Sequence, residues 1–131
     1  MLEPSPKVDE LARRVIGAAI EVHRHLGPGF IESTYQRALE IELQMQEIPH
    51  QREASMEVLY KGNTVGRSSL DFLVDRELVV ELKAVESIAP IHQAQVISYL
   101  QASKLQLGLI INFNVPVLKE GIKRIVLTSF A

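Results

Sequence analysis

The chain has no cysteine among its 131 residues, so neither disulfides nor thiolate-bound metal can contribute to it. Any metal it holds must take oxygen or imidazole ligands, which favours Mg²⁺, Mn²⁺ or Ca²⁺ over structural zinc. No apolar run approaches the roughly 20 residues needed to span a bilayer. The opening stretch, Met1 to Lys7, carries Pro4 and Pro6 and lacks the apolar segment of a signal peptide. A cytoplasmic protein with no membrane partner is therefore expected. An excess of positive charge is also missing: 14 basic residues face 16 acidic ones, for a net charge of −2. Proteins that grip long duplexes through many phosphates are usually basic, so tight unassisted binding of that kind is disfavoured. Phosphodiester chemistry is not, because a metal site needs local carboxylates and brings its own positive charge.

Repeats, linkers and low-complexity stretches are absent too, and the length suits one domain over residues 1–131, with 1–7 as a flexible lead-in. Val8, Leu11, Ala12, Val15, Ile16, Ala19, Val22 and Leu26 recur at helical spacing and predict an amphipathic helix, stopped by Gly27-Pro28-Gly29. A second helix is predicted from about Glu32 to Gln46, with Tyr35, Leu39, Leu43 and Met45 apolar and Pro49 ending it. The period then changes to two. Met56, Val58 and Tyr60 alternate, Lys61-Gly62-Asn63 turns the chain, and strands follow through Leu70–Val74 and Leu78–Leu82. Pro90 opens a third helix, about Ile91 to Ser103, with Val96, Ile97 and Leu100 facing the core. The continuous apolar run Leu107–Ile111 reads as a strand buried on both faces, reached by a crossover and hence parallel to a strand before it. A last strand covers Ile122–Leu127. The predicted order is ααβββαββ, an α/β domain with one mixed sheet flanked by helices.

Parity within the second and third strands carries the chemistry. Leu70, Phe72 and Val74 on one strand and Leu78, Val80 and Leu82 on the other are all apolar and predict a shared core face. A three-residue loop, Asp75-Arg76-Glu77, then sets Val74 opposite Leu78 and Asp71 opposite Glu81, with Cβ atoms about 4.5–5.5 Å apart. Two carboxylates so placed repel each other unless a cation lies between them, where they form half of an oxygen shell. Lys83 follows on the same face, about 6–7 Å along the strand. An ammonium there can meet a phosphate oxygen, and the set suits phosphodiester hydrolysis. Spacing alone leaves an ordinary cross-strand ion pair equally open.

Asp71 followed by Glu81-Leu82-Lys83 resembles the D…(D/E)xK signature of the restriction-endonuclease-like, or PD-(D/E)xK, nuclease superfamily. Gly29-Phe30-Ile31-Glu32-Ser33-Thr34-Tyr35 matches Gly-x-x-Glu-x-x-Tyr, the motif of the small GxxExxY family within it. The stretches Leu70–Val74, Val80–Val85, Gln95–Leu100 and Gly108–Phe113 are similar to that family as well. Leu70 stands where the wider superfamily often has proline. The resemblance implies a restriction-endonuclease-like core and a Mg²⁺- or Mn²⁺-dependent nuclease. Asp71 and Glu81 would be its metal ligands, joined by Glu32 from a helix, and Lys83 its catalytic lysine. It also implies a nucleic-acid partner, DNA before RNA.

Tyr35 shares a helix face with Glu32 and would hold it or bond the backbone. Gln95 and Tyr99, four apart on the third helix, would line the site, with Gln95 touching phosphate or a ligand carboxylate. His92 is expected at the surface, and His23 and His25 diverge too far for a metal pair. Lys119, Lys123 and Arg124 could meet phosphates, although the last two point to opposite faces of a strand. Gly108 is expected to allow close helix–strand packing. A homodimer or a partner protein could supply the grip that the charge withholds. Two other readings stay open: a non-catalytic nucleic-acid or protein interaction module on the same fold, and a hydrolase of small phosphate esters, which needs no basic groove.

Overall fold

A computed structural model describes residues 4–128. Helix α1 spans Pro6–Leu26. The Ser5 hydroxyl accepts the Val8 N–H at 3.3 Å, and proline at the first helical position gives up no bond that the helix needs. Pro6 and Lys7 therefore belong to α1 and not to a flexible lead-in; residues 1–3 lie outside the described residues. The helix ends at Gly27, whose φ of 69° suits glycine and lets its N–H reach the His23 carbonyl. Helix α2 spans Glu32–Met45 and buries Tyr35, Gln36, Leu39 and Leu43. Met45, expected among the apolar positions, is 72% exposed in the last turn.

Strands β1 (His50–Tyr60), β2 (Asn63–Val74) and β3 (Leu78–Lys83) form an antiparallel meander. Helix α3 (Pro90–Ser103) crosses to β4 (Leu107–Asn112), which runs parallel to β3, and β5 (Ile122–Val126) closes the sheet antiparallel to β4. The spatial order is β1-β2-β3-β4-β5. This is the mixed sheet, and the ααβββαββ order, that the sequence predicts. Lys61 and Gly62, both at positive φ, make the β1–β2 turn. The β2–β3 loop is Asp75-Arg76-Glu77, and Val74 pairs with Leu78 as expected.

Helices α1 and α2 pack on Phe72, Val74, Leu78, Val80 and Leu82, together with alternate residues of β4. Helix α3 covers Val79 and Ile110 on the other face. All six residues of β4 are buried, as a strand covered on both sides should be. Gly108 is needed for that packing, since a Cβ there would lie 2.6 Å from a Val96 methyl. Ile97, expected in the core, is 39% exposed; Val96 and Leu100 are the buried residues of α3, with Tyr99 packed beside them. No described helix is long and apolar enough to cross a membrane.

Leu70 departs from the predicted common face. It packs with Val79, Leu100 and Ile110 beneath α3, while Phe72 faces α1 and α2. The even positions of β2 therefore change sides across Asp71. Strand β1 does the same, since His50 packs its ring against Phe72 whereas Ala54 and Met56 join the α3 cluster. The pairing steps from Arg52↔Phe72 to Ala54↔Leu70, and Glu53 between them has a φ of 53°. A left-handed residue inside a strand breaks strict alternation, as a bulge does. Asp71 sits where the sheet bends.

Candidate active site

Beyond Phe72↔Val80 the β2–β3 ladder gives way to side chains. Glu81 Oε1 accepts the Asp71 N–H at 2.8 Å, and Asp71 Oδ2 accepts the Leu82 N–H at 2.7 Å. Each carboxylate thus caps a backbone donor of the opposite strand, and the two residues are held side by side. The bend frees Asp71 to reach α2 as well, where Gln36 Nε2 donates to its Oδ1 at 2.9 Å. Both Asp71 oxygens are fixed.

Burial raises the pKa of the Asp71 carboxyl. The Leu82 N–H counters this, the Glu32 charge adds to it, and Lys83 and Gln36 draw it back. Glu81, 8% exposed, is pushed up to about 7, first by burial and then by the charge of Asp71. Glu32 and Lys83 act on both groups, with opposite signs. Asp71, Glu81, Lys83 and Glu32 therefore share one electrostatic environment with three carboxyls to one ammonium. Among the described residues Lys83 makes no ion pair within 4 Å, so its charge is not tied to one neighbour.

Glu32 is the first, exposed residue of α2. Tyr35, fully buried one turn along, donates to the Gly27 carbonyl at 2.5 Å and accepts the Phe30 N–H at 3.2 Å, and so fixes the backbone that leads into α2. The ring stacks on Phe113 at 4.4 Å. Of the two roles foreseen for Tyr35, the structure shows backbone bonding. Tyr35→Phe strands both backbone groups and is expected to lower stability by about 1–2 kcal/mol in urea denaturation.

Gln95 and Tyr99 lie elsewhere. They line a groove of about 710 Å³ between α3 and the β1–β2 arm, a groove that none of Asp71, Glu81, Lys83 or Glu32 borders. Tyr99 bonds the Ser68 hydroxyl at 2.9 Å, and exposed Gln95 has no bond to the carboxylates. His92 caps α3 by accepting the Ala89 N–H. His23 bonds the Val115 carbonyl while His25 bonds Glu21, so the two diverge as expected. Arg124 is paired with Asp9 of α1, which withdraws it from a basic patch.

Two positioning residues escape the sequence reading. Gln36 was legible in principle: it follows Glu32 by one turn and is a polar residue on the stripe continued by Leu39 and Leu43. Asn112 ends a buried apolar run and resembles any strand-terminating asparagine. Yet it is 1% exposed and bonds Val85 on both its N–H and its C=O.

A family model described as the PD-(D/E)XK nuclease superfamily matches residues 9–125. The chain belongs to that superfamily, and the five-stranded mixed sheet flanked by helices is its restriction-endonuclease-like architecture. No curated protein and no solved structure matches the chain.

Proposed function

We propose that this chain is a divalent-metal-dependent phosphodiesterase of the GxxExxY type that cleaves nucleic acid, DNA in preference to RNA. One observation carries the reading: half-buried Asp71 and buried Glu81 are locked together by reciprocal backbone bonds, with Lys83 two residues further along and in no ion pair among the described residues. The donor set fits a hard cation, since all its atoms are carboxylate oxygens and their repulsion is only partly offset by Lys83 and the hydrogen bonds they accept. Among the described residues no three acidic or histidine side chains form a ready cage. That suits an ion such as Mg²⁺, which keeps several waters and takes one or two carboxylates.

Asp71 and Glu81 would hold the ion, with Glu32 reaching it through water. When bound, a divalent cation supplies a water of lowered pKa and offsets charge on the phosphate. Lys83 places its ammonium against a phosphate oxygen, and Gln36 keeps the Asp71 carboxylate in one orientation. The net charge of −2 favours a short or structured substrate, or a partner that adds grip.

Calorimetric titration of Mn²⁺ should give a binding heat with the wild type and none with Asp71→Ala. In a panel of single-stranded, duplex and branched DNA and RNA, Lys83→Ala should cut turnover by about 10²–10³ while leaving the fold intact. Undiminished cleavage by Lys83→Ala would refute the assignment. An absent Mn²⁺ heat would leave the interaction-module reading, which the acidic balance favours.

A further inference from the structure

We propose that Phe30, flanked by Ile31, is a stacking platform for an unpaired nucleobase, so that the substrate is single-stranded or locally opened at the scissile phosphate. The inference rests on the nuclease reading of the carboxylate site and adds the substrate's form.

Among the described phenylalanines, Phe72 and Phe113 are fully buried, whereas Phe30 is 47% exposed and the adjoining Ile31 70% exposed. The exposure is not that of a loose loop. The Phe30 N–H is bonded to the Tyr35 hydroxyl, which is bonded in turn to Gly27, and Tyr35 is clamped against Phe113. The Phe30 ring rests edge-on against Tyr35, with centroids 6.1 Å apart and planes at 77°. One edge is held and much of the ring remains open to solvent. A rigid aromatic loses little conformational entropy when something stacks on it.

Its position points to the occupant. Phe30 is two residues before Glu32, within about 7 Å of chain, and Gln36, one turn further along α2, bonds Asp71 at 2.9 Å. A group stacked on Phe30 therefore lies at the same end of α2 as the residue that holds Asp71. The charge balance points the same way. With three carboxyls to one ammonium at the site and a net charge of −2, backbone phosphates alone hold a strand poorly. Stacking of a base on an aromatic ring needs no charge and tolerates any sequence. Duplex pairing hides base faces, so the platform selects strands whose base is free.

The chain has no tryptophan, so Phe30→Trp introduces a single indole at the platform, which is excited selectively at wavelengths its three tyrosines do not absorb. With Ca²⁺ present, a short single-stranded oligodeoxynucleotide should quench that emission, and the blunt duplex of the same sequence should do so far more weakly. Phe30→Ala should bind the single strand about 10- to 100-fold more weakly by fluorescence anisotropy of the labelled strand. It should also lose the preference for single strand over duplex. Emission unchanged by a strand that anisotropy shows to be bound, or quenched equally by duplex, would overturn the proposal. So would a silent emitter accompanied by self-association that Phe30→Ala abolishes, which would make the patch a protein contact. Quenching without cleavage of any substrate would support the platform and refute the nuclease reading. Cleavage with a silent emitter would do the reverse.

Discussion

Glu81→Gln is expected to make the metal-free protein more stable above neutral pH while removing its response to Mg²⁺ or Mn²⁺. The Glu81 carboxyl is raised from its ordinary value to about 7 by burial and by Asp71. Below pH about 4.5 the group is protonated in folded and unfolded chains alike, and its neutral form suits the site. Between pH about 4.5 and 7 the unfolded chain releases the proton and the folded chain keeps it, so stability falls as pH rises. Above pH 7 the folded chain carries a charge that its surroundings oppose, a loss of roughly 2–3 kcal/mol. Asp71, shifted the same way, steepens the slope. Glutamine retains the Oε1 that accepts the Asp71 N–H and removes the charge. Urea midpoints of wild type and variant should converge near pH 4.5 and separate by pH 8, the variant being the more stable. Added Mn²⁺ should reverse the order at pH 8, because ions stabilise the form with deprotonated ligands. Cleavage should fall by about 10²–10³. A variant less stable than wild type at every pH would mean that Glu81 is an ordinary ion-pair partner of Lys83, and the metal-site reading would fail.

The stability forgone in wild type bears on how the site could be read from sequence. Pattern and turn chemistry give the β2–β3 register, since three loop residues between two apolar pairs leave one pairing that buries both, and Asp71 and Glu81 follow from it. The side change at Asp71 does not follow. It coincides with a left-handed Glu53 on the neighbouring edge strand, whose first half, His50–Ser55, is polar but for Ala54 and carries no alternation to read. Strict parity therefore puts Leu70 on the α1–α2 face, whereas it packs beneath α3. Gln36 is legible as a polar intruder on an apolar stripe, but its partner is set by the bend and not by α2. Gln95 and Tyr99 share a helix face, as spacing requires; which part of the sheet that face meets is decided by the crossover, and it meets the β1–β2 arm.

Asn112→Ala is expected to cost about 2–3 kcal/mol and to weaken cleavage although the residue touches no substrate. Asn112 lies in register with Lys83 at the end of the parallel β3–β4 pair, and the Phe113 N–H bonds the Lys83 carbonyl at 2.9 Å. Past that point β3 leaves the sheet, and the Asn112 side chain stands in for a strand. Its Oδ1 accepts the Val85 N–H at 3.1 Å and the Asn114 N–H at 3.2 Å, and its Nδ2 donates to the Val85 carbonyl at 2.9 Å. Alanine strands the Val85 and Asn114 N–H groups and leaves the Val85 carbonyl only the 3.4 Å bond from Asn114, each loss being worth about 1 kcal/mol. The segment carrying Lys83 then loses its anchor on the far side. Gly121 belongs to the same construction: a Cβ there would run into the Asn112 carbonyl oxygen. Asn114→Ala removes only an exposed 3.4 Å bond to Val85 and should change stability by less than about 0.5 kcal/mol. Asn112→Asp separates hydrogen bonding from shape. It keeps both acceptor bonds but sets a buried anion against the Val85 carbonyl, so it should be at least as damaging as alanine at pH 8 and partly restored at pH 5, where the acid can donate. Urea midpoints with unchanged m-values would show that the native state carries the loss. An alanine variant within 1 kcal/mol of wild type would instead mean that water replaces the side chain and that Lys83 is held by the ladder alone.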